Sequence, residues 1–294
     1  YMPPQIHNAI FSDNYDVGIA TKRKKLSIFF SDIVNFTATS EGLQPEDLTK
    51  YLNEYFSEMT TIALDSGATI DKYIGDAIVA FYGAPIDVDN HEYWACKTAI
   101  EMQDKLAILR EGWQEEGDRW PEIVHNMQNR IGISSGQMVT GNMGSESRMN
   151  YTMMGDTVNL AARLEPAAKH YGVYTFVAQN TYKAVKDQFE WRLVDFLKVK
   201  GKEKPVKSYE LFAIKNDLNN KQAQLIAAFN EGLDLYFKRD WKLALGKFKE
   251  ASELEDNFPY RSTNPSLIYI ERCEIFAKNP PAKNWDGVWT MNKK

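Results

Sequence analysis

Two aspartates in the sequence follow strand-like runs and could together hold divalent cations. Asp32 ends the run LSIFFSD that begins at residue 26, and Asp76 follows the turn residue Gly75 in DKYIGDA. Asp is also common at strand ends and in hairpin turns for backbone reasons alone, which is the more frequent explanation for either residue taken singly. If the fold brings the two carboxylates together, they repel each other unless one is protonated. With divalent cations between them, they form a template for phosphate chemistry.

A second polar pair, Asn159 and Arg163, lies in the segment YTMMGDTVNLAARLE, which begins at residue 151. Because the two residues are four positions apart, they share one face of a helix. A guanidinium is always charged and presents a rigid fork of donors, so it suits a site where negative charge builds up in a transition state. Taken alone, an Asn and an Arg at this spacing are usually surface residues, and only the surrounding motif indicates a site.

These segments together resemble the signature of class III nucleotidyl cyclases, through FSDIVNFT, DKYIGDA and GDTVNLAAR. The resemblance covers residues 25–213 and implies that Asp32 and Asp76 hold two Mg²⁺ or Mn²⁺ ions. One ion would lower the pKa of the ribose 3′-hydroxyl, and the other would neutralise the β- and γ-phosphates. In the family, the residue matching Asn159 orients the ribose, and the residue matching Arg163 contacts the triphosphate.

Base recognition is implied for Lys72 and Thr152 by the same resemblance. Lys donates to a ring nitrogen of adenine and Thr can accept from its exocyclic amine, whereas guanine has a carbonyl there. Guanylyl cyclases place Glu and Cys at these positions, and many family members have Asp instead of Thr. The Lys/Thr pair resembles the bicarbonate-responsive subgroup of adenylyl cyclases, so activation by bicarbonate is a hypothesis. An ordinary strand threonine is the alternative for Thr152.

Phosphate binding is implied for three further residues. Phe36 and Thr37 match positions whose backbone N–H groups hold phosphates at a helix start. Lys200, in a charged run, matches the terminal phosphate-binding lysine of the family, and Lys202 is the alternative for this position. Asn35 stands where the family usually has Gly, and because Asn tolerates positive φ better than most residues, we expect the turn to form.

The elements that must position these residues alternate between helices and strands, with tight hairpins among them. Apolar spacing and capping residues predict helices at 45–65, 91–111, 156–171 and 180–187. β-compatible runs predict strands at 26–32, 130–134, 151–154, 174–178, 192–199 and 207–213, with hairpins at 69–82 and 138–142. This mixture favours an α+β fold, and with the resemblance it predicts a ferredoxin-like cyclase domain with a mostly antiparallel sheet.

Three regions are predicted along the chain: a lead-in at 1–24 with a short helix near 5–11, the catalytic domain at 25–214, and a small all-helical extension at 215–294. The extension resembles one tetratricopeptide-type helix pair through Phe229, Gly232, Leu233, Tyr236, Trp241, Ala244, Phe248 and Ala251. One repeat cannot bury its apolar face alone, so it should dock on the catalytic domain or on a partner. A further helix is predicted at 266–276. Trp285 and Trp289 are expected to fold back over an apolar groove, with a partner site as the alternative.

Composition excludes several classes of protein. The 294 residues are 44% apolar and 26% charged, which is ordinary for a globular protein long enough for about two domains. The net charge of −5 argues against nucleic acid as a partner. No apolar run approaches the ~20 residues of a membrane span, and the two distant cysteines predict neither a disulfide framework nor a cysteine-based zinc site. We therefore expect a cytoplasmic location, with any membrane attachment supplied by segments beyond this chain, which begins at Tyr1.

The predicted function is adenylyl cyclase activity, which converts ATP to 3′,5′-cyclic AMP and pyrophosphate. Family sites lie between two protomers, and because this chain carries both sets of residues, the resemblance implies a head-to-tail homodimer. A guanylyl or mixed-base cyclase is one alternative, and a nucleotide-sensing or scaffold module that binds a protein through its helical tail is another. The scaffold alternative is disfavoured because six site residues are all present: Asp32, Lys72, Asp76, Thr152, Asn159 and Arg163.

Overall fold

The computed structural model describes residues 21–145, 147–197 and 205–288, and an eight-stranded sheet forms its centre. The strands are β1 (Lys22–Ile33), β2 (Thr69–Ile74), β3 (Ala77–Tyr82), β4 (Asn129–Ser145), β5 (Arg148–Met154), β6 (Thr175–Ala178), β7 (Phe189–Leu197) and β8 (Val206–Ile214). The α-helices are α1 (Phe36–Gly42), α2 (Pro45–Asp65), α3 (His91–Glu115), α4 (Glu122–His125), α5 (Asp156–Tyr171), α6 (Gln179–Val185), α7 (Asn220–Phe237), α8 (Trp241–Leu254) and α9 (Pro265–Lys278). None of these helices, which cover the described residues only, is long and apolar enough to cross a membrane.

The strand order is β2-β3-β1-β4-β6-β8-β7, and β5 pairs with the far end of β4 outside this row. Strand β1 is antiparallel to β3 on one side and to β4 on the other. Strands β4 and β6 are parallel, whereas β6 with β8 and β7 with β8 are antiparallel. The sheet is therefore mixed, which corrects the prediction of a mostly antiparallel sheet. The physical reason is the connection through β5 and α5, which returns the chain to the end of the sheet where β4 begins, so that β6 runs in the same direction as β4.

Helices cover both faces of the sheet. On one face, α2 and α3 pack against strand residues that include Phe29 and Ile131. On the other face, Ala161 of α5 packs against a cluster that includes Leu26. The backbone of α5 comes so close to β4 that a Cβ on Gly132 would lie 2.7 Å from the Ala161 carbonyl oxygen. Glycine at position 132 therefore allows α5, which carries two candidate site residues, to lie directly on the strand.

Two boundaries differ from the sequence predictions. The hairpin predicted at 138–142 is wrong, because β4 continues to Ser145 and its second half pairs with β5. Gly141 has φ of 147°, a value open to glycine, so the strand stays extended where a turn was predicted. Helix α3 extends beyond residue 111 because Trp113 is fully buried and donates from its indole N–H to Glu54 at 3.1 Å. The predicted helices at 45–65 and 156–171 and the hairpin of β2 and β3 are confirmed.

Helices α7, α8 and α9 share one apolar cluster that packs against the last two strands. Phe229 and Tyr236 are fully buried in this cluster, and Phe212 of β8 packs against it. After α9, Trp285 folds back onto the helices, with its ring centroid 5.4 Å from that of Tyr236, which confirms the fold-back predicted for it. Trp289 and the predicted lead-in helix at 5–11 lie outside the described residues.

A buried ion-pair network joins these helices to the sheet. Arg192 of β7 is fully buried and donates through Nε to Glu210 of β8 at 2.8 Å. Its Nη1 donates to Glu255, the residue after α8, at 2.5 Å. Arg261 and Ser266 also donate to Glu255, at 3.2 and 2.8 Å. Buried charges are tolerated only when they are paired and hydrogen-bonded, so the network specifies how the helices sit on β7 and β8.

Replacing Arg192 by leucine is expected to lower the free energy of unfolding by about 3–5 kcal/mol, because two buried carboxylates lose their cation. Urea unfolding followed by circular dichroism measures the loss. Lys221→Leu is the matched control, since Lys221 pairs with Asp256 at the exposed surface and should cost less than about 1 kcal/mol. Equal small losses for the two variants would contradict the structural role given to the network.

Candidate functional site

Asp32 and Asp76 come together where two strands of the sheet meet a turn. Asp32 lies near the end of β1, and Asp76 lies in the turn that leads into β3, the antiparallel neighbour of β1. The backbone N–H of Ile33 donates to Asp76 Oδ2 at 3.0 Å, which holds this carboxylate beside Asp32. Burial, a hydrogen bond with Asp76 and the charge of Asp76 raise the pKa of Asp32 to about 8. The Asp32 carboxyl therefore keeps its proton near neutral pH when no cation lies beside it.

Arg130 and Glu165 flank Asp32, and neither was predicted from the sequence as a site residue. Arg130 is opposite Asp32 in the register of β1 with β4, and its Nη2 lies 3.8 Å from Asp32 Oδ2. Its Nε donates to Glu165 Oε1 of α5 at 2.8 Å, and both side chains are largely buried. Glu165 raises the pKa of Asp32 and Arg130 lowers it, each by less than burial does. The signal that could have found Arg130 is a charged residue at the start of the apolar run RIGIS.

The aspartate pair fits divalent cations that also bind phosphate. Mg²⁺ is usually held by one or two carboxylates together with substrate phosphates and waters. Asp32 and Asp76 supply two carboxylates in contact, and a cation between them would relieve the repulsion that helps raise the pKa of Asp32. Among the described residues, no group of three or more His, Cys, Asp or Glu side chains could hold a metal. The pair therefore suits a cation that arrives with a phosphate ligand.

The turn after β1 leads directly into a short helix beside this pair. Asn35 adopts the left-handed conformation, with φ of 58° and ψ of 30°, so the expectation that Asn can replace Gly here is confirmed. Helix α1 begins at Phe36, and Thr37 is its second residue, which places both predicted phosphate-binding positions in the first turn. Lys200 and the alternative Lys202 lie outside the described residues.

Asn159 and Arg163 lie on the exposed face of α5. The opposite face of the helix packs on the sheet through buried residues such as Leu164. The helix ends at Tyr171, as predicted, and Gly172 caps it in the left-handed conformation with φ of 62°. The structure therefore keeps the predicted pairing of the two residues, on the outer face of α5 and away from the sheet that carries Asp32.

Lys72 and Thr152 are brought together by Asp71, which was not predicted from the sequence as a site residue. Asp71 Oδ2 accepts a hydrogen bond from Thr152 Oγ1 at 3.1 Å and lies 3.3 Å from Lys72 Nζ. Lys72 belongs to β2 and Thr152 to β5, which are not neighbours in the sheet. The side chain of Lys72 is 44% exposed and that of Asp71 is 3% exposed, so a buried acid lies beneath two polar groups that can reach a ligand.

Comparisons with known proteins agree on one family. Residues 19–215 match the family described as the adenylate and guanylate cyclase catalytic domain. The chain is 35% identical over 254 residues to the terminal-differentiation-specific adenylate cyclase of Dictyostelium discoideum, which covers 85% of this chain and 11% of that protein. It is 34% identical over 206 residues to the adenylate cyclase of Anabaena cylindrica, covering 68% of this chain and 39% of that protein. The chain thus spans well under half the length of these curated relatives.

Similar solved structures include cyclases of both base specificities. The chain is 37% identical to the adenylyl cyclase CyaB from P. aeruginosa, with a TM-score of 0.60 over 68% of this chain and 100% of that one. It is 32% identical to the guanylyl cyclase Cya2, with a TM-score of 0.58 over 67% of this chain and 96% of that one. The shared fold alone therefore does not decide between adenine and guanine, and the residues around the base must do so.

Proposed function

The chain belongs to the adenylate and guanylate cyclase catalytic domain family, and we propose that it converts ATP to 3′,5′-cyclic AMP and pyrophosphate. The observation that carries this proposal is the contact of Asp32 with Asp76, two carboxylates from distant parts of the sequence that are driven apart unless a proton or a cation separates them. The similarity to adenylate cyclases from D. discoideum and A. cylindrica supports ATP as the substrate.

In the proposed reaction, the ribose 3′-oxygen bonds to the α-phosphorus in line, pyrophosphate leaves, and the hydroxyl proton passes to solvent. Asp32 and Asp76 hold the divalent cations, whose chemistry is to make the 3′-hydroxyl more acidic and to neutralise the phosphates. Asn159 orients the ribose through its amide. Arg163 donates to the oxygens of the α-phosphate, where negative charge increases in the transition state. No side chain is needed as a dedicated base.

The remaining nucleotide contacts are proposed for five residues. Phe36 and Thr37 present backbone N–H groups at the start of α1, where they can bind phosphate oxygens. Lys200 is proposed to reach the terminal phosphate. Lys72 donates to a ring nitrogen of adenine, and Thr152 accepts from the exocyclic amine. Their common contact with Asp71 supports the base-recognition pair, since it holds two residues from separate strands at one place.

We propose that two protomers assemble head to tail and share each active site. Asn159 and Arg163 are exposed on the outer face of α5, whereas Asp32 belongs to β1 of the sheet, so the two sets of one protomer are available to complete two separate sites with its partner. A second copy in the reverse orientation can bring its α5 to the aspartate pair, which gives two equivalent sites in a twofold dimer.

A guanylyl cyclase is the second candidate, favoured by the similarity to Cya2. Measuring cyclic AMP from ATP and cyclic GMP from GTP, with equal nucleotide and Mn²⁺ concentrations, separates the two functions. We expect kcat/KM for ATP to exceed that for GTP by about tenfold or more, because a site built to pair with one base leaves buried polar groups unpaired with the other. Equal values, or a preference for GTP, would contradict the proposal.

Bicarbonate is proposed as an activator, because Lys72 and Thr152 resemble the Lys/Thr pair of the bicarbonate-responsive subgroup. We expect the initial rate of cyclic AMP formation to rise with added sodium bicarbonate at fixed pH and metal concentration. Sodium chloride at the same ionic strength is the control. An identical rate in the two salts would rule out activation.

Residues 25–214 are proposed as the catalytic domain, and residues 215–294 as a tetratricopeptide-like extension that can also present a partner surface. The family match ends at residue 215, whereas the similarity to the D. discoideum cyclase covers 85% of the chain and so includes part of the extension. The buried network of Arg192 and Glu255 supports an extension that is integral to the enzyme. We propose a cytoplasmic location, where ATP and divalent cations are available.

A further inference from the structure

The geometry points to Asp71 as a specificity-determining positioning residue, which orients the hydroxyl of Thr152 so that the site takes adenine and rejects guanine. This inference rests on the proposed adenylyl cyclase function and adds one residue to it. Asp71 acts through Thr152 and Lys72, the two residues proposed to contact the base.

A β-bulge aims Asp71 at Thr152. In the pairing of β2 with β3, Ile70 and Lys72 face consecutive residues of β3, so Asp71 is an extra residue in the strand. A bulge bends its strand and redirects side chains, and bulges are frequent beside active sites. The redirected carboxylate is almost fully buried and reaches across to β5. The bulge therefore brings the Asp71 carboxylate into contact with Thr152, the threonine proposed to bind the base.

The contact fixes the direction of a hydroxyl proton. Thr152 has one hydroxyl proton, and Oγ1 donates it to Asp71 Oδ2 at 3.1 Å. The lone pairs of Oγ1 are then its only means of binding a ligand. The exocyclic amine of adenine is a donor and can satisfy them, whereas the corresponding carbonyl of guanine is an acceptor and meets another acceptor. Without Asp71, the hydroxyl could rotate and donate to guanine instead.

Lys72 keeps the Asp71 carboxylate in the acceptor state. Its Nζ lies 3.3 Å from Asp71 Oδ2, and an ionised carboxylate can only accept hydrogen bonds. Burial raises the pKa of Asp71, and both Lys72 and Thr152 oppose that rise. The second oxygen, Oδ1, is buried and has no hydrogen-bond partner among the described residues. An unsatisfied buried oxygen is costly for folding, and such groups in native proteins are frequently retained for function.

Replacing Asp71 by asparagine in the full chain tests the inference. The amide N–H of asparagine can donate to Thr152 Oγ1, which frees the hydroxyl proton to point toward the base. We expect the ratio of kcat/KM for ATP to that for GTP to fall by about tenfold or more, with Mn²⁺ as the metal. Asp87→Asn is the matched control, because the Asp87 side chain is 86% exposed and pairs only with Lys24 in the described residues. Its ratio should equal that of the wild type.

A purely structural role for Asp71 predicts a different outcome. Both substrates would then lose activity equally, and an unchanged ratio would overturn the inference. In a Thr152→Val background, Asp71→Asn should leave the ratio unchanged, because Asp71 acts only through the hydroxyl that valine lacks; a fall of about tenfold in that background would also overturn the inference. If Asp71→Asn does not fold, Asp71→Ala carries the same test, because it also leaves the Thr152 hydroxyl free to rotate and should lower the ratio in the same way. A wild-type chain that forms no cyclic AMP would instead refute the proposed function itself.

Discussion

The Asp76→Asn variant is expected to lose metal-dependent cyclic AMP formation by about 10³-fold or more, since metal stabilisation of the transition state contributes several kcal/mol. Asparagine has nearly the same shape, and its side-chain oxygen can still accept from the Ile33 N–H, so the turn should persist. The substitution removes the negative charge of residue 76, which is one of the two carboxylates proposed to hold the cations. Initial rates with ATP and either Mn²⁺ or Mg²⁺ measure the loss.

A second readout separates loss of the cation site from unfolding. A cation that binds only the native protein raises its Tm. With a non-cyclisable ATP analogue present, adding Mn²⁺ should therefore raise the Tm of the wild type and leave that of Asp76→Asn nearly unchanged. Asp87→Asn removes an exposed carboxylate and should behave like the wild type in both assays. A full Mn²⁺ shift in Asp76→Asn, or a rate loss below tenfold, would contradict the metal-binding role.

Arg163→Ala is expected to reduce the rate of cyclic AMP formation by about 10²–10³-fold, the usual effect of removing one preorganised donor to the transition state. Arg163 is on the exposed face of α5, and Ala is the best helix former, so the fold should be retained. The loss should appear in kcat more than in KM, because the contact strengthens only in the transition state.

Two further variants separate charge from geometry at this position. Arg163→Lys keeps the positive charge but lacks the planar fork, and should recover only part of the rate. Lys169→Ala removes an exposed charge from the same helix and should leave the rate within about twofold of wild type. If Arg163→Ala lost less than tenfold, or no more than Lys169→Ala, the proposed role would be wrong.

Features with local signals could be predicted from the sequence. Helix α5 is bounded by Gly155 and Gly172, which mark its limits, and the common face of Asn159 and Arg163 follows from their spacing. Asn35 could be assigned a left-handed turn because few other residues tolerate it. The pairing of Asp32 with Asp76 could be proposed from two motifs, but their contact depends on the register of β1 with β3.

Features that depend on non-local register could not be predicted. Arg130 meets Asp32 only because β4 pairs with β1 at that residue, and no local pattern specifies this alignment. Asp71 reaches Thr152 because of a bulge, and nothing in the run DKYIGD predicts that bulge. Likewise, Arg192 and Glu255 are far apart in the chain, and each resembles an ordinary surface charge until the helices pack on β7. Long-range packing decides all three cases.

Mixing the two inactive variants, Asp76→Asn and Arg163→Ala, tests most directly whether the chain is a cyclase with a shared site. In a head-to-tail dimer of the two, one site loses both functional groups and the other retains both. Random pairing makes about half of the dimers mixed, and each mixed dimer has one intact site of two, so we expect cyclic AMP formation from ATP at about a quarter of the wild-type rate. A mixture that exchanges subunits yet stays as inactive as its separate components would contradict it.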